Sequence, residues 1–347
     1  MQEKIDIRTL DKESISNVLV AMGEKPFRAK QVYEWIWKKS AVSFSDMTNL
    51  SQSTREKLDQ THCIRPIAIK TKQKSTDGTI KFGFVLHDNH IVEGVLIPTD
   101  TRMTACISSQ VGCSLTCKFC ATGYMKRERN LDASEIYDQV VLIAKEAMEV
   151  YQKPLTNIVY MGMGEPLLNY NNVLQSVHFL TSTEGLDIAS RRITVSTAGI
   201  AKMIVKLADD NSKFNLALSL HAANDVKRQE MMPINESNSL KVLAEALDYY
   251  YSKTKNMVTF EYILFEGFND EISDAEDLLK FVRKIPSKVN IIQYNPIQFV
   301  DLVNTSEDKL GKFVSFLERN NVTVNVRRSR GKDIDAACGQ LAVKNKE

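Results

Sequence analysis

The sequence predicts an α/β fold, a partial (β/α)6 barrel preceded by a helical segment and a small β extension. After Thr101, short apolar strands alternate with amphipathic helices. Before that, the first sixty residues have helical apolar periodicity, and from Ile64 to about Pro98 the period changes to two. Repeated β–α alternation is typical of a parallel sheet with right-handed crossovers, which here predicts a partial or complete barrel.

Composition limits the class of protein. The chain has 347 residues, of which 43% are hydrophobic and 25% are charged. This mixture excludes collagen-like, disordered and disulfide-scaffold proteins. The longest apolar runs, such as Val140 to Ala144, are far shorter than the ~20 residues of a membrane helix, and the charged start at Met1 to Asp6 is unlike a signal peptide. We therefore expect a cytoplasmic protein that does not engage a membrane, while the net charge of +2 neither requires nor excludes a nucleic-acid partner.

The helical segment, residues 1–62, is expected to contain three helices, at Glu13 to Met22, at Pro26 to about Lys39, and at Leu50 to His62. Pro26 suits the first position of a helix. The second helix mixes basic and aromatic side chains, a pattern that suits phosphate contact and base stacking. An aromatic face packed into a core is the alternative. The residues concerned are Lys25, Phe27, Arg28, Lys30, Tyr33, Trp35, Trp37, Lys38 and Lys39.

The β extension, residues 63–100, is expected to be a set of antiparallel strands. Asp77-Gly78 separates two runs of alternating hydrophobicity, and Asp88-Asn89 precedes a third. An Asp-Gly pair between such runs is a strong hairpin signal. The expected strands are Ile67 to Lys70, Lys81 to Leu86 and Ile91 to Ile97.

The barrel, residues 101–326, is expected to hold six β–α units and a seventh strand. A C-terminal segment, residues 327–347, has the composition of a functional loop rather than a helix. The expected strands are Met103–Ser108, Ile158–Met161, Ile193–Ser196, Leu216–Leu220, Val258–Ile263, Val289–Gln293 and Val322–Val326. The expected helices lie near Ala133–Val150, Asn171–Ser182, Ile200–Ala208, Leu240–Ser252, Asp274–Lys284 and Ser306–Asn320.

A cysteine motif is the strongest chemical signal in the sequence. Three thiols with the spacing Cys-x3-Cys-x2-Cys are expected on one loop after the first barrel strand, at Cys113, Cys117 and Cys120. Thiolates in such crowding select zinc or iron–sulfur clusters. Three cysteines would ligate three irons of a four-iron cluster and leave one iron open. A zinc site completed by Cys106 is the alternative, although structural zinc usually takes four ligands in two separated pairs.

The cysteine motif, with phenylalanine before its last cysteine, resembles the cluster loop of the radical S-adenosylmethionine (SAM) superfamily. Wider segments resemble, within that superfamily, the RNA methyltransferase family that modifies carbon 2 of adenosine in 23S rRNA and tRNA. The resemblance covers almost the whole chain. These segments are Met22-Gly-Glu-Lys-Pro-Phe-Arg28, Cys106-Ile-Ser-Ser-Gln-Val-Gly-Cys113, Met161-Gly-Met-Gly-Glu-Pro166 and Asp333-Ile-Asp-Ala-Ala-Cys-Gly-Gln-Leu341.

The resemblance implies cofactors and partners. They are one 4Fe–4S cluster on the three cysteines, two molecules of SAM per turnover, 23S rRNA and tRNA as substrates, and an electron donor such as flavodoxin or ferredoxin. The protein is expected to be a monomer whose N-terminal helices bind RNA. A related family that methylates carbon 8 of adenosine by the same cysteine chemistry is the nearest alternative, and a non-catalytic RNA-binding protein with a structural zinc site is the alternative from another class.

The SAM site is expected at the carboxyl ends of the barrel strands, where β/α barrels place their reactive groups. Glycines at 162 and 164 would permit close backbone approach to a ligand. Ordinary turn chemistry is the alternative for any one of these polar residues. The resemblance implies SAM contacts from Gly164, Glu165, Ser196, Ser219, Leu220, His221 and Asn295.

Two further cysteines and one carboxylate are expected to act on the methyl group. The resemblance implies that Cys338 receives a methyl group from one SAM. A radical derived from the second SAM then activates that group for addition to adenine. Glu93 is expected to remove the ring proton, with a strand carboxylate of no special role as the alternative. Cys106 is expected to attack the Cys338 sulfur, which leaves a transient disulfide.

Basic residues are expected near these groups. Four cationic side chains close to Cys338 favour its thiolate form, and two other basic clusters are expected at the mouth of the site, where they would bind RNA phosphates. Solvated surface charge is the alternative for both clusters. The first set is Arg327, Arg328, Arg330 and Lys332; the two clusters are Lys126-Arg127-Glu128-Arg129 and Arg191-Arg192.

Overall fold

The computed structural model describes residues 4–343. Its strands are β1 Ile5–Asp6, β2 His62–Cys63, β3 Ala68–Lys74, β4 Ile80–Val85, β5 Ile91–Pro98, β6 Met103–Cys106, β7 Gln110–Val111, β8 Arg129–Asn130, β9 Asn157–Tyr160, β10 Ile193–Thr197, β11 Asn215–Ser219, β12 Val258–Ile263, β13 Ser287–Ile292 and β14 Val324–Arg327. Its helices are α1 Lys12–Ala21, α2 Arg28–Trp37, α3 Gln52–Thr61, α4 Ala133–Tyr151, α5 Tyr170–Thr181, α6 Ala201–Asp209, α7 Asp225–Met231, α8 Leu240–Thr254, α9 Ile272–Val282 and α10 Glu307–Arg319.

A ten-stranded sheet organises the molecule, in the order β14-β13-β12-β11-β10-β9-β6-β5-β4-β3. The seven strands from β6 to β14 in this order are parallel to their neighbours. A helix follows each of the first six, and β14 adds the seventh strand. The predicted partial barrel of six β–α units is thereby confirmed, with strand bounds within a few residues of those expected.

The β extension continues the barrel sheet. Strands β3, β4 and β5 pair antiparallel, and β5 pairs antiparallel with β6, so that Val95 lies opposite Cys106. The turn between β3 and β4 holds Asp77-Gly78, and Gly78 has a φ of +87° as a hairpin turn requires. Glu93 on β5 is therefore one strand away from Cys106 on β6.

The N-terminal helices pack against the barrel helices through an aromatic contact. Trp37 of α2 is 1% exposed and stacks on Phe179 of α5, with ring centroids 3.6 Å apart. Tyr137 of α4 meets the Trp37 ring edge-on and donates a hydrogen bond to the Trp37 carbonyl at 2.7 Å. The innermost part of the aromatic face of α2 is thus core, which was the alternative to nucleic-acid contact. Phe27 at its start is 56% exposed.

A buried ion pair adds a polar contact between the same regions. The Arg8 guanidinium donates to the Asp138 carboxylate of α4 at 2.8 Å and lies 3.2 Å from the Asp6 carboxylate. The helices between residues 4 and 343 were searched for apolar segments long enough to span a bilayer, and none qualifies.

Candidate functional site

A cavity opens at the carboxyl ends of the parallel strands, and we call it the strand-end cavity. The cysteine loop, the ends of β9 to β13 and the C-terminal segment form its wall. It is lined by Cys113, Leu115, Cys117, Phe119, Cys120, Thr122, Tyr160, Met161, Gly162, Gly164, Glu165, Pro166, Ser196, Thr197, Ala198, Ser219, His221, Met232, Glu261, Ile263, Ile292, Cys338, Gly339 and Leu341.

The three thiols of the predicted metal site all line this cavity. Burial raises the pKa of Cys113 to about 12 and also raises the pKa values of Cys117 and Cys120. Free thiols in this setting are protonated, and bound metal would deprotonate them. Within residues 4–343, no three His, Cys, Asp or Glu side chains are placed to hold a single metal ion. Three soft ligands spread around one wall fit an iron–sulfur cluster that keeps one iron accessible from the cavity.

Glu165 joins two strand ends below the cavity. Its side chain is 4% exposed and accepts hydrogen bonds from the backbone N–H of Leu167 at 3.0 Å and of Ala198 at 2.7 Å. Burial raises the pKa of Glu165, while these two N–H groups oppose the rise. The carboxylate therefore fixes the loop after β9 to the end of β10, and it also faces the cavity.

The glycines before Glu165 are required by protein packing. A Cβ on Gly162 would lie 2.7 Å from the Ile107 carbonyl, and one on Gly164 would lie 2.5 Å from Gln110. Gly164 also has a φ of +94°, a conformation that other residues rarely adopt. Both glycines let the loop after β9 approach the loop after β6. We expected them to admit a ligand, and the contacts they admit here are with Ile107 and Gln110.

His221 is a neutral imidazole in the cavity wall. Its Nδ1 accepts a hydrogen bond from the Ile263 N–H at 3.1 Å, which leaves the proton on Nε2. Burial, with a smaller contribution from Arg228, lowers the pKa of His221 to about 3. The ring packs edge-on against Phe119 of the cysteine loop. His221 therefore links the loop to the end of β11 without adding charge.

The other predicted SAM contacts divide into two groups. Ser196 and Ser219 line the cavity on adjacent strands, with their hydroxyl oxygens 3.5 Å apart. Leu220 and Asn295 do not line it. Leu220 is a wholly buried core residue, and Asn295 donates from Nδ2 to the Cys338 carbonyl at 3.1 Å. The Asn295 Oδ1 atom is buried and has no hydrogen-bond partner among residues 4–343.

Cys338 lies between the strand-end cavity and a second cavity. It lines both, and Cys106 lines the second with it. Cys338 is exposed when the whole residue is counted, whereas Cys106 is 6% exposed. The second cavity is lined by Ile97, Thr99, Arg102, Thr104, Cys106, Val159, Met161, Ile292, Arg327, Arg328, Ser329, Arg330, Ala336, Ala337, Cys338 and Leu341.

Of the four cations predicted to favour the Cys338 thiolate, Arg327 acts in that direction. Burial raises the pKa of Cys338, and the opposing Arg327 charge does not cancel that rise. Arg328 and Arg330 are directed to carboxylates, 3.6 Å from Glu307 and 3.8 Å from Asp77 respectively. The Lys332 ammonium donates to the Gln293 side chain at 2.7 Å. Burial likewise raises the pKa of Cys106, so both cysteines are thiols at neutral pH.

The tail loop, residues 331–341, is held by polar contacts with three distant segments, which the sequence reasoning missed. The β3–β4 turn supplies Ser75, Thr76 and Asp77, which bond Asp333 and the Gly331 N–H at 2.5 to 3.1 Å. The cysteine loop supplies two further bonds, from the Ala121 N–H to the Gly339 carbonyl and from the Thr122 hydroxyl to the Leu341 carbonyl. Asn295 supplies the third attachment. The Asp-Gly turn predicted only a hairpin, so nothing in the sequence pattern pointed to these contacts.

Glu93 is a buried carboxylate paired with Lys81 on the neighbouring strand. The Lys81 Nζ is 3.4 Å from Glu93 Oε1 and also donates to the Asp335 carbonyl of the tail loop. Glu93 Oε2 is buried and has no hydrogen-bond partner among the described residues. Burial raises the pKa of Glu93, and Lys81 opposes this effect. Glu93 is thus beside the tail loop rather than on the wall of the strand-end cavity, and it is not an exposed strand carboxylate.

One predicted phosphate-binding cluster lies at the wrong end of the barrel. Arg191 and Arg192 precede β10, and the Arg192 guanidinium donates to the Thr156 carbonyl just before β9. Both strands run from this end toward the cavity, so the expectation that these arginines lie at the mouth is wrong.

The other basic cluster is partly used within the fold. Arg129 makes hydrogen-bonded ion pairs with Glu135 at 2.7 Å and with Asp88 at 2.5 Å, which ties the loop before α4 to the β4–β5 turn. Lys126 is highly exposed and lies 3.6 Å from Glu128. The phosphate contact stays a prediction for Lys126, which is exposed. Arg129 has a structural role within the fold.

Arg228 is a second feature that the sequence reasoning missed. This residue of α7 is 0% exposed, and its guanidinium donates to the carbonyls of Ala198, Ser219 and Leu220 at 2.6 to 3.3 Å. A fourth hydrogen bond goes to the Asn235 side chain at 2.8 Å. Because these carbonyls follow β10 and β11, Arg228 fixes two strand ends that line the cavity.

Comparisons with known proteins agree with this architecture. Residues 5–64 match the family model described as the ribosomal RNA large subunit methyltransferase N-terminal domain. Residues 107–282 match the radical SAM superfamily model. A crystal structure of a radical SAM methyltransferase from Sphaerobacter thermophilus superposes with a TM-score of 0.92 and 38% identity, covering 98% of this chain and 100% of that one.

Similar proteins are found along the full length of the chain. The probable dual-specificity RNA methyltransferase RlmN of Cytophaga hutchinsonii is 65% identical over 338 residues, covering 97% of this chain and 93% of that protein. The protein of the same description from Bacillus subtilis is 41% identical over 345 residues, covering 99% of this chain and 95% of that protein.

Proposed function

Because this chain belongs to the RlmN family of radical SAM RNA methyltransferases, we propose that it methylates carbon 2 of adenosine in 23S rRNA, in the peptidyl-transferase region, and in tRNA, 3′ to the anticodon. Its relatives are described as probable dual-specificity RNA methyltransferases. An electron donor such as flavodoxin or ferredoxin serves the reaction, and the protein acts as a monomer.

Cys113, Cys117 and Cys120 hold the cluster in this proposal, and the strand ends of β9 to β11 hold SAM. When bound, the 4Fe–4S cluster supplies the electron that splits SAM into methionine and a 5′-deoxyadenosyl radical. Gly164, Glu165, Ser196, Ser219 and His221 form the wall on which SAM would be oriented. Asn295 contributes through its hydrogen bond to the Cys338 carbonyl, and Leu220 contributes through its backbone.

Cys338 carries the methyl group, and its position between two cavities is the observation that supports this role most directly. A group on its sulfur borders the strand-end cavity on one side and the second cavity on the other. The second cavity contains Cys106 and the cationic rim of Arg102, Arg327 and Arg328. Such a rim suits an RNA phosphate backbone, and the target adenine would be unstacked to reach Cys338.

Resolution of the RNA–Cys338 link needs one base and one nucleophile. Glu93 removes the proton from the methylated ring position, a role that fits its buried, partly unpartnered carboxylate beside the tail loop. The Cys106 sulfur then attacks the Cys338 sulfur. The carbon–sulfur bond to the RNA breaks as a Cys106–Cys338 disulfide forms, and the freed carbon takes up a proton to complete the methyl group. The one electron left over from radical addition would return to the bound cluster, and an external thiol reduces the disulfide in the next step.

Product identification tests the proposed position of methylation. Anaerobic turnover with unmodified 23S rRNA and tRNA, followed by nucleoside mass spectrometry against synthetic isomers, should give 2-methyladenosine from both RNAs. 8-Methyladenosine would assign the protein to the carbon-8 chemistry instead. A colourless, zinc-containing preparation from anaerobic purification would support the non-catalytic alternative.

Replacement of Cys106 tests the role of the second cysteine. Cys106→Ala should trap a covalent RNA–protein adduct, because the link through Cys338 can no longer be resolved. The adduct should appear as an RNase-sensitive gel shift, and Cys63→Ala should give none because Cys63 lines neither cavity. Free, fully methylated RNA from Cys106→Ala would contradict the resolving role.

A further inference from the structure

Arg228 is a buried cation that donates to no carboxylate among residues 4–343. Its side chain is 0% exposed, and the Asp225 carboxylate on the same helix, which favours its charged form, accepts from the Asn235 side chain instead. All four of its hydrogen bonds go to neutral acceptors, three backbone carbonyls and the Asn235 amide oxygen. A buried charge that is solvated only by dipoles is costly, so a countercharge nearby is expected.

The cysteine loop, which would hold the cluster, packs against the helix that carries Arg228. Arg228 donates to the carbonyl of Ala198, and Ala198 lines the strand-end cavity together with Cys117. Helix α7 contacts the same loop directly, since the Lys118 N–H donates to the Met231 carbonyl at 3.0 Å. Cys117 and Met231 also share one apolar cluster with Phe119 and Ala198.

We propose that Arg228 compensates the charge of the iron–sulfur site and raises its reduction potential. A four-iron cluster on three thiolates has a net negative charge that grows by one unit on reduction. A fixed positive charge in a dry site therefore stabilises the reduced form more than the oxidised form. The site must deliver an electron to SAM, so Arg228 makes the cluster easier to reduce by the donor.

The alternative is that Arg228 only holds strand ends in place. A guanidinium fork that bonds the carbonyls of Ala198, Ser219 and Leu220 has that effect whether or not a cluster is near. The two roles differ in what a substitution changes. Loss of the positive charge should alter the reduction potential of the cluster. Loss of the hydrogen bonds to the three carbonyls alone should not.

Redox titration of the anaerobic, cluster-loaded protein, followed by electron paramagnetic resonance, separates these roles. R228Q removes the charge and keeps an amide donor, while R228K keeps the charge and loses the fork. In R228Q the ratio of reduced to oxidised cluster at a fixed potential should fall about tenfold, about 59 mV for a one-electron couple. R228K should stay near the wild-type value, as should R191Q, which removes an exposed charge at the opposite end of the barrel.

Every outcome decides the proposal. Loss of the cluster from R228Q with retention in R228K also supports a charge requirement. An unchanged potential in R228Q, an equal shift in R228K, or loss of the cluster from both variants would overturn it. The inference rests on the cluster assignment within the proposed function. A wild-type protein without a cluster would defeat that function, whereas these outcomes in a cluster-containing wild type defeat only the role of Arg228.

Discussion

The barrel part of the strand-end cavity wall and the tail loop that carries Cys338 are built in different ways. The barrel part consists of short loops, each fixed by the strand it follows and by contacts such as that of Glu165 with Ala198. The tail loop follows β14 and is held by side chains and backbone groups from far along the chain, including Asp77 and Thr122. In the proposed function the barrel would therefore bind the cluster and SAM, whereas methyl transfer would depend on docking of the tail.

The largest effect should come from the wall. Cys117→Ser should abolish the cluster and with it all SAM cleavage, because two thiols cannot hold it. Iron and sulfide analysis with a 5′-deoxyadenosine assay under reducing conditions measures both. Cys63→Ser, a cysteine outside both cavities, is the matched control and should keep a full cluster. Retained iron in Cys117→Ser would contradict the ligand assignment.

The second largest effect should come from weaker attachment of the tail loop. It should leave SAM cleavage in the strand-end cavity unchanged. Asp77→Asn combined with Asp333→Asn removes charged acceptors from the Gly331, Ser75 and Thr76 contacts. RNA methylation should fall about tenfold while SAM cleavage in the absence of RNA is unchanged. Hydrogen exchange of residues 331–341 should speed up in parallel.

The control for this tail variant is Asp301→Asn, an exposed carboxylate. It should leave methylation and exchange unchanged. Equal losses of SAM cleavage and RNA methylation in the double variant would mean that tail and wall are not separable.

The barrel part of the site could be predicted from the sequence more easily than the contacts of the tail loop. The strand ends could be placed from sequence because apolar periodicity defines the strands and parallel strands end at one face. Cysteine spacing within one loop is a local property too. The Asp77–Gly331 contact joins residues more than 250 positions apart. The hydrogen bonds of Arg228 depend on which carbonyls two separate segments, at Ala198 and at Ser219-Leu220, leave unpaired. Neither signal exists in a single stretch of sequence.

The error on Arg191 and Arg192 has a related cause. They lie between α5 and β10, at the amino end of that strand, and the two basic residues themselves do not show at which end of the barrel they lie. For Cys338, the sequence shows the neighbouring arginines but neither the burial of the thiol nor the carboxylate partners of Arg328 and Arg330.

A third effect concerns the pH dependence of methylation and the Glu93–Lys81 ion pair, whose lysine on β4 also contacts the tail loop. Burial raises the pKa of Glu93 and Lys81 opposes it. A base must be ionised, so methylation should decline as pH falls through this raised pKa. Lys81→Met removes the opposing charge, raises the pKa further and moves the acid limb to higher pH. Methylation by Lys81→Met should therefore fall clearly on the acidic side of the profile and little on its alkaline side.

Single-turnover methylation rates between pH 5.5 and 8.5 measure this effect. Lys288→Met, which removes a lysine from β13, is the control and should keep the wild-type profile. A Lys81→Met profile that falls by the same factor at every pH would assign Lys81 to tail docking through Asp335 instead of to Glu93.

The smallest effect should come from one hydrogen bond between the two regions. Thr122→Val removes the donor to the Leu341 carbonyl, at 2.6 Å, which is worth about 1 kcal/mol. Tail-loop hydrogen exchange should increase about threefold, with iron content unchanged. Thr101→Val, an exposed threonine, should change neither, and a loss of iron in Thr122→Val would place Thr122 in support of the cluster.

Isotope tracing tests the central claim that wall and tail cooperate through a methyl group on Cys338. Anaerobic turnover with SAM that carries a deuterated methyl group should label both Cys338 and adenosine. The RNA product should retain two deuterium atoms and gain one hydrogen at its methyl group, because one is abstracted by the radical. Labelled adenosine without label on Cys338, or a product that retains all three deuterium atoms, would contradict the account.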